Sequence, residues 1–339
     1  MDMMYAKTQQ QIKALVTNKI VPGVSYGFID HQQTLTNYVG ASQLIPTCQP
    51  LYAGQLYDLA SLTKVIATTT LILKLITQHQ LALDDPIQKF LPTFKDQRVQ
   101  IRHLLTHTVN LVGYIPHRNQ LTAPELKQAL LNLSVGPNFG KQVHYSDTEF
   151  LYLGWIIERL LQRPAQQALF NEVIRPLHLT TMTFHPDAKR CVPASYQPHG
   201  RGLIKGVVHD PKAYVLGEHA ASAGLFANLT DVLSFCRFML GDWQLTEPLL
   251  DRTTIQQLYH DYTGCNGQRS LGWDLKIGSN GQYWLYHTGY VGHLILINQQ
   301  AHQAFVLLSN RIHPTEPNTI FLGLRDQIAA TYLKEAAVL

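Results

Sequence analysis

Residues 61–78 carry hydrophobic side chains on nearly every side of a helix. A helix that is apolar all round is stable only when other elements pack against it on all faces, so it belongs in the centre of a protein. The longest apolar run within it, residues 65–76, contains Lys74 and three threonines and is too short and too polar to span a bilayer. The rest of the chain is therefore expected to wrap around this segment. With 339 residues there is ample length for a sizeable core, as one large domain or two intimately packed lobes.

The flanking patterns say what does the wrapping. Residues 7–16 have helical periodicity. Residues 24–30 and 34–38 read as a hairpin that turns at Asp30-His31-Gln32-Gln33. Helical patterns follow the central segment at 101–106, 123–133, 148–161 and 165–173, then at 231–240 and 253–259. Strand patterns return at 270–275, 282–287, 294–298 and 304–309 as a meander, and residues 316–335 read as a closing amphipathic helix. The expected fold class is α/β in the α+β sense: one sheet built from both chain ends, flanked by helices, with an all-helical lobe inserted. Residues 1–80 and 200–339 would form the sheet lobe and 81–199 the mainly helical lobe, in one integrated unit.

Composition excludes several classes. Hydrophobic residues make up 45% and charged residues 15%, which argues against a disordered chain. The net charge is +4, but lysines and arginines are scattered, with no basic run, so no nucleic-acid partner is expected. Cys48, Cys191, Cys236 and Cys265 are too far apart in sequence for a metal knuckle or redox pair and read as reduced thiols. Met1-Asp2-Met3-Met4-Tyr5-Ala6-Lys7 has no apolar core and no small-residue cleavage site. No signal peptide is visible there, and a cytoplasmic location is expected.

Ser61-Leu62-Thr63-Lys64 opens the central segment. Residues three apart on a helix share a face, with about 5–6 Å between Cβ atoms, so an amine stands beside a hydroxyl. The hydroxyl also lies near the positive end of the helix dipole, where its own N–H has no intrahelical partner. One turn of backbone can thus supply a nucleophile, a base and an oxyanion donor. Alone the pattern is a weak signal, since about one Ser-x-x-Lys arises by chance in a chain of this length. Two further motifs strengthen it. Tyr145-Ser146-Asp147 lies at a loop-to-helix junction, from which a tyrosine can reach into a cleft. His287-Thr288-Gly289 follows a strand, and the glycine would let a substrate approach a strand edge closely.

The order Ser-x-x-Lys, Tyr-x-Asp, His-Thr-Gly resembles the penicillin-recognising serine hydrolases, which include class C β-lactamases, low-molecular-weight D,D-peptidases and related serine esterases. Further segments resemble the family along most of the chain: His103-Leu104-Leu105-Thr106-His107-Thr108, His209-Asp210 followed by Ala223-Gly224-Leu225-Phe226, and Leu307-Leu308-Ser309-Asn310-Arg311. The resemblance implies an antiparallel sheet flanked by helices and an all-helical lobe, with the active site between them. Two positions depart from the pattern. Asp147 stands where the family usually has Asn, and His287 stands where many members have Lys, as it does in some D,D-peptidases. Tyr259-His260-Asp261 also matches the second motif loosely, but its place in a late helix marks it as a decoy.

By this resemblance Ser61 is the nucleophile, Lys64 and Tyr145 are its proton shuttles, and the N–H groups of Ser61 and Tyr290 form the oxyanion hole. Asp147, His287, Thr288, Gly289 and Tyr290 would contact the substrate. For Lys64 to act as a base near neutrality its pKa must fall roughly three units from about 10.4, about 4 kcal/mol, part of which burial supplies. The alternative is a permanently charged lysine that only orients Tyr145. His287, with a reference pKa of about 6.5, would be partly charged at neutral pH and would hold a carboxylate weakly on the leaving-group side. An ionised Asp147 accepts but cannot donate, which should disfavour β-lactams and acyl-D-Ala peptides and favour a donor such as an amine near the scissile carbonyl. His103 and His107 are spaced four apart without the intervening glutamate of a zinc protease, so packing or hydrogen bonding is expected of them. No metal and no cofactor are expected.

The expected function is that of a serine hydrolase working through an acyl-enzyme on Ser61, on esters or small peptide-like amides, with weak β-lactamase activity. Two alternatives are a D,D-carboxypeptidase- or D-aminopeptidase-like enzyme acting on cell-wall fragments, and a non-catalytic penicillin-binding sensor. The expected partner is a small-molecule ester, peptide or β-lactam-like substrate, with no nucleic acid and no membrane insertion; the oligomeric state is open.

Overall fold

A computed structural model describes residues 4–242 and 249–338. Met1–Met3, part of the start read for a leader, lie outside the described residues. Seven strands form one antiparallel sheet: β1 Gly23–Asp30, β2 Gln33–Gln43, β3 Gln49–Pro50, β4 Asp274–Ile277, β5 Tyr283–Gly289, β6 His293–Asn298 and β7 Gln303–Ser309. Their order is β4-β5-β6-β7-β1-β2-β3. The amino-terminal hairpin thus lies beside the carboxy-terminal meander, with Val24 opposite Ser309 and Asp30 opposite Gln303.

Side chains alternate across this sheet with period two. On β7, Phe305 and Leu307 join Tyr26, Phe28 and Tyr332 on one face, under helices Ala6–Thr17 and Ile320–Ala336. Ala304, Val306 and Leu308 point to the other face, into a larger core shared with the central helix and helix Leu229–Leu240. All of β6 and β7 is buried, as a sheet covered on both faces requires. Gly27 is where helix Leu229–Leu240 presses closest, for a Cβ there would stand 2.7 Å from Leu233 Cδ1. Between β3 and β4 the chain is mainly helical, and its apolar residues join the same larger core.

The central helix is buried as its pattern demands, but it is not a uniform α-helix. Lys64–Thr69 is π-helical and Thr70–Thr77 is α-helical. The Thr70 hydroxyl donates to Val65 O, five residues back, at 3.2 Å. A wide turn of this kind often sits at a functional site. Two of its polar groups find partners in the segment that crosses it: Thr68 donates to Ala221 O at 2.6 Å, and Thr63 Oγ1 accepts from Leu225 N–H at 3.2 Å, whereas Thr69 Oγ1 has none among the described residues. Lys74 pairs with Glu172 at 2.9 Å. Left unpaired in the core, each such group would cost about 1–3 kcal/mol.

Several expected boundaries move; the second hairpin strand runs on from 38 to Gln43, and two others shift for local reasons. The strand read from residue 270 starts at Asp274, because Ser270 N–H donates to Trp273 O at 2.8 Å and turns the chain first. The closing helix starts at Ile320 instead of 316, since Pro317 disfavours helical backbone at the residue before it. Among the described residues no helix is long and apolar enough to cross a membrane.

Candidate active site

Ser61 follows a sharp turn between the short strand Tyr57–Asp58 and the central helix. Ala60 has φ 47°, a left-handed conformation that alanine rarely adopts. The surroundings hold it there. Ala60 N–H donates to Asp58 Oδ1 at 2.9 Å, and Asp58 Oδ2 accepts from His209 N–H at 2.7 Å. Leu59 N–H donates to Leu225 O at 2.9 Å. From β6, His293 donates through Nε2 to Asp58 O at 2.7 Å, while its Nδ1 accepts from Ser309 N–H at 3.2 Å. Burial pulls the His293 imidazole down to about 4, so it stays neutral in this role. Neither Asp58 nor His293 was singled out from sequence. They act on backbone, and no motif reports that.

Lys64 is fully buried. Its ammonium donates to Ser61 Oγ at 2.8 Å and to Ser222 O at 2.9 Å, and pairs with Asp147 Oδ1 at 2.7 Å. The second Asp147 oxygen lies 3.2 Å from Lys212 Nζ, which is also 3.6 Å from Asp210 Oδ2. Burial alone would lower the Lys64 pKa, but the adjacent Asp147 outweighs it and holds the ammonium above the ordinary lysine value. Burial likewise works to raise Asp147, and the two lysines outweigh it to hold the carboxyl below the usual range. For Lys64 this favours the alternative of a permanently charged ammonium, and for Asp147 it adds two lysine partners. Lys64 is not poised near neutrality, because burial came with a counter-ion. Asp147 is not a lone acceptor facing the substrate, because each of its oxygens already faces a lysine.

Tyr145 is half-exposed, with Oη 3.0 Å from Ser61 Oγ. Lys64 Nζ and the Arg269 guanidinium face its ring at 5.4 and 5.8 Å. The next residue, Ser146, caps helix Asp147–Leu161 by accepting from Thr148 N–H at 3.3 Å, which puts Asp147 in the first turn where the helix dipole favours a carboxylate. An ammonium only donates, whereas a phenol donates and accepts. The arrangement can thus carry a proton away from Ser61 through Tyr145.

Behind Tyr145 lies a buried pair, His107 and Glu149. The His107 ring packs 4.4 Å from the Tyr145 ring. Burial pushes the His107 imidazole well below and the Glu149 carboxyl well above its ordinary value, the directions that favour the neutral forms. His103 does not join them. Its Nδ1 accepts from Gln100 N–H at 3.0 Å and helps start helix Ile101–Thr106. Among the described residues no three His, Cys, Asp or Glu side chains gather as metal ligands.

On β5 the His287 imidazole is buried and donates through Nδ1 to Thr288 O at 3.0 Å. Burial, with Arg269 and Lys64 nearby, holds it well below the ordinary histidine value. It is neutral at pH 7, not partly charged as its type suggested. Gly289 also has another purpose than expected. A Cβ there would meet Leu59 O at 2.8 Å and His293 Cδ2 at 2.9 Å, so the glycine lets β5 close on the turn carrying Ser61. Tyr290 is half-exposed, its ring 5.5 Å from His209 and 4.8 Å from the Arg311 guanidinium. Among the described residues the N–H groups of Ser61 and Tyr290 have no protein acceptor, which leaves both free for an oxyanion. Tyr259 is half-buried, accepts from Gln299 N–H at 2.9 Å and does not line the cleft.

Sequence inspection missed Arg269 and Lys212. Arg269 is buried in the wall that carries His287 and Thr288. Its Nη2 lies 2.5 Å from Asp274 Oδ1, and its Nε and Nη1 have no partner among the described residues. Ser61, Tyr145, Asp147, His287, Thr288 and Tyr290 line one cleft of about 930 Å³. A second cavity of about 730 Å³ adjoins it, sharing Arg118, Asn119, Tyr145, Asp147 and Lys212.

The buried histidines make stability depend on pH. Burial lowers His103, His293 and His313 to about 4, and His107 and His287 are also well below 6.5. The unfolded chain takes up these protons through about pH 6.5, while the folded chain does not until lower pH. Their stabilising contribution is full above pH 6.5 and is lost as pH falls toward 4. Asp58 and Glu149, both shifted upward by burial, oppose this with one proton each. For His293 alone the limit is about 3 kcal/mol. The urea midpoint is expected to fall steeply from pH 6.5 to 4.5, and a flat profile would contradict the buried neutral histidines.

The family model described as Beta-lactamase matches residues 8–328. An Escherichia coli (strain K12) protein named "Putative D-alanyl-D-alanine carboxypeptidase" is 28% identical over 314 residues, covering 78% of this chain and 71% of that protein. Two solved structures show the same fold. EstCE1, a hydrolase with promiscuous acyltransferase activity, superposes with a TM-score of 0.77 at 20% identity over 99% of each chain. A class C beta lactamase from Rhodobacter sphaeroides gives 0.74 at 16% identity over 98% of each chain. With its antiparallel sheet and a family match running nearly end to end, this chain belongs to the beta-lactamase family and is a serine hydrolase.

Proposed function

We propose that this hydrolase cleaves small peptide-like amides and esters whose leaving group carries a carboxylate, a carboxypeptidase type of reaction. The carrying observation is Arg269, a buried cation in the same cleft wall as His287 and Thr288. From sequence, carboxylate recognition fell to a partly charged His287, which favoured esters. A guanidinium stays charged at all working pH and takes over that task. The name carried by the E. coli relative supports the same substrate class. Simple esters and β-lactams remain accompanying substrates of the same acyl-enzyme.

In this reading Ser61 and His287 come from the sheet lobe and Tyr145 from the helical lobe. As Oγ attacks the carbonyl carbon, Tyr145 acts as a relay: Oη takes the Ser61 proton while its own phenolic proton moves toward the leaving atom. The N–H groups of Ser61 and Tyr290 hold the oxyanion, each donor worth about 10²–10³ in rate. Tyr145 then gives the proton to the leaving nitrogen or oxygen as its bond to the carbonyl carbon breaks. Water releases the acid from Ser61. Lys64 stays an ammonium throughout, held by Asp147, and supplies a fixed positive charge and a donor to Oγ.

The test compares an acylated D-Ala–D-Ala peptide with the same peptide amidated at its carboxy terminus. The free acid is expected to be preferred by about ten- to hundredfold in kcat/KM, and Arg269→Gln to erase most of that preference. Equal rates for acid and amide in the wild type would overturn the reading without recourse to the variant.

A further inference from the structure

We propose that Lys212 determines substrate choice on the acyl side, its ammonium donating to an amide carbonyl oxygen of the acyl group. The inference rests on the Ser61 acyl-enzyme but not on the carboxylate preference. The geometry begins with the two cavities. They meet at Arg118, Asn119, Tyr145, Asp147 and Lys212, and Ser61 lines only the larger. A substrate with its leaving group beside His287 and Thr288 runs its acyl part the other way, past Lys212 toward the second cavity.

At that junction Arg118 and Asn119 are exposed to solvent; of the other three, only Lys212 keeps an unassigned donor. Tyr145 Oη is engaged with Ser61, and both Asp147 oxygens face lysines. Lys212 has three ammonium protons; one goes to Asp147 Oδ2 at 3.2 Å, while Asp210 Oδ2 at 3.6 Å is an ionic neighbour beyond hydrogen-bond range. Its side chain is 12% exposed, so the ammonium is held in place and partly desolvated while still lining the cleft. A donor fixed this way loses little freedom on binding and makes a stronger bond than one in bulk water.

A purely structural purpose does not account for it. Lys64 alone already balances Asp147, charge for charge. Asp210 is separately employed, its Oδ1 accepting from Ala213 N–H at 2.7 Å to cap helix Pro211–Leu216. Lys212 therefore brings a charged donor that the ion pair at Lys64 does not need. An acylamino acid presents an amide carbonyl just beyond the scissile carbonyl, and an acetyl group presents nothing there.

The test uses p-nitrophenyl acetate and p-nitrophenyl N-acetylglycinate, each rate normalised to its spontaneous hydrolysis. Wild type is expected to prefer the acylamino ester in kcat/KM, and Lys212→Met to reduce that preference by about ten- to hundredfold. Lys212→Arg, which keeps charge and donors, should retain most of it. An absent preference in wild type, or an equal loss on both esters in Lys212→Met, overturns the proposal. Neither ester carries a carboxylate, so failure of the carboxypeptidase reading leaves this comparison intact. Turnover that survives in Ser61→Ala removes both.

Discussion

Ser61→Ala is expected to lose at least about 10⁴-fold in kcat/KM toward p-nitrophenyl acetate, the largest effect of any single substitution in this chain. Everything at the site converges on Ser61 Oγ, with Lys64 Nζ at 2.8 Å and Tyr145 Oη at 3.0 Å. Alanine keeps the backbone turn, the oxyanion N–H groups and the cleft, and removes only the atom that attacks. The residual rate would come from the oxyanion donors alone. The folded state should be hardly altered, because alanine fits the helix start and Asp58 still holds the preceding turn. The measurement is steady-state ester hydrolysis alongside a thermal melt. Near-normal turnover with a normal melt would remove Ser61 from the nucleophile role.

Lys64→Met is expected to lose about 10³-fold in activity and, unlike Ser61→Ala, to lose stability as well. A methionine fills similar volume but leaves Asp147 facing an apolar group, with Lys212 as its remaining cation. Breaking a buried ion pair from one side costs about 3–5 kcal/mol, reduced here because Asp147 is partly exposed and keeps Lys212. Denaturant melts of Lys64→Met and of the double variant Lys64→Met/Asp147→Asn separate the two effects. The double variant should recover stability without recovering activity. If Lys64→Met is as stable as wild type, the Lys64–Asp147 pair does not hold the site together as described.

Much of the frame was legible in the sequence, and the reasons are physical. The all-round apolar helix could only be central, and period-two strands at both ends could only share their buried face through a common sheet. The residues nearest Ser61 sit in short fixed-order motifs, so Lys64 and Tyr145 could be placed beside it before any coordinates. What was not legible depends on distant residues meeting. Burial of Lys64 was foreseen, but the sign of its pKa shift depends on Asp147 joining it, and on Lys212 completing the chain of charges. Arg269 lies in a turn with no pattern of its own, and only the fold brings it beside His287. Gly289 was read as room for a substrate, yet its missing side chain is filled by Leu59 and His293, which only the packing of β5 reveals. The shifted start of β4 has the same origin, since a turn closed by Ser270 and Trp273 overrides an apolar pattern.

The most direct test of the acyl-enzyme is the mass of the protein quenched during turnover of p-nitrophenyl acetate, followed by peptide mapping. The account predicts a mass gain of one acetyl group, located on the peptide that contains Ser61 and absent from Ser61→Ala. An enzyme that turns over the ester with no adduct trapped on Ser61, or whose adduct persists in Ser61→Ala, would contradict it.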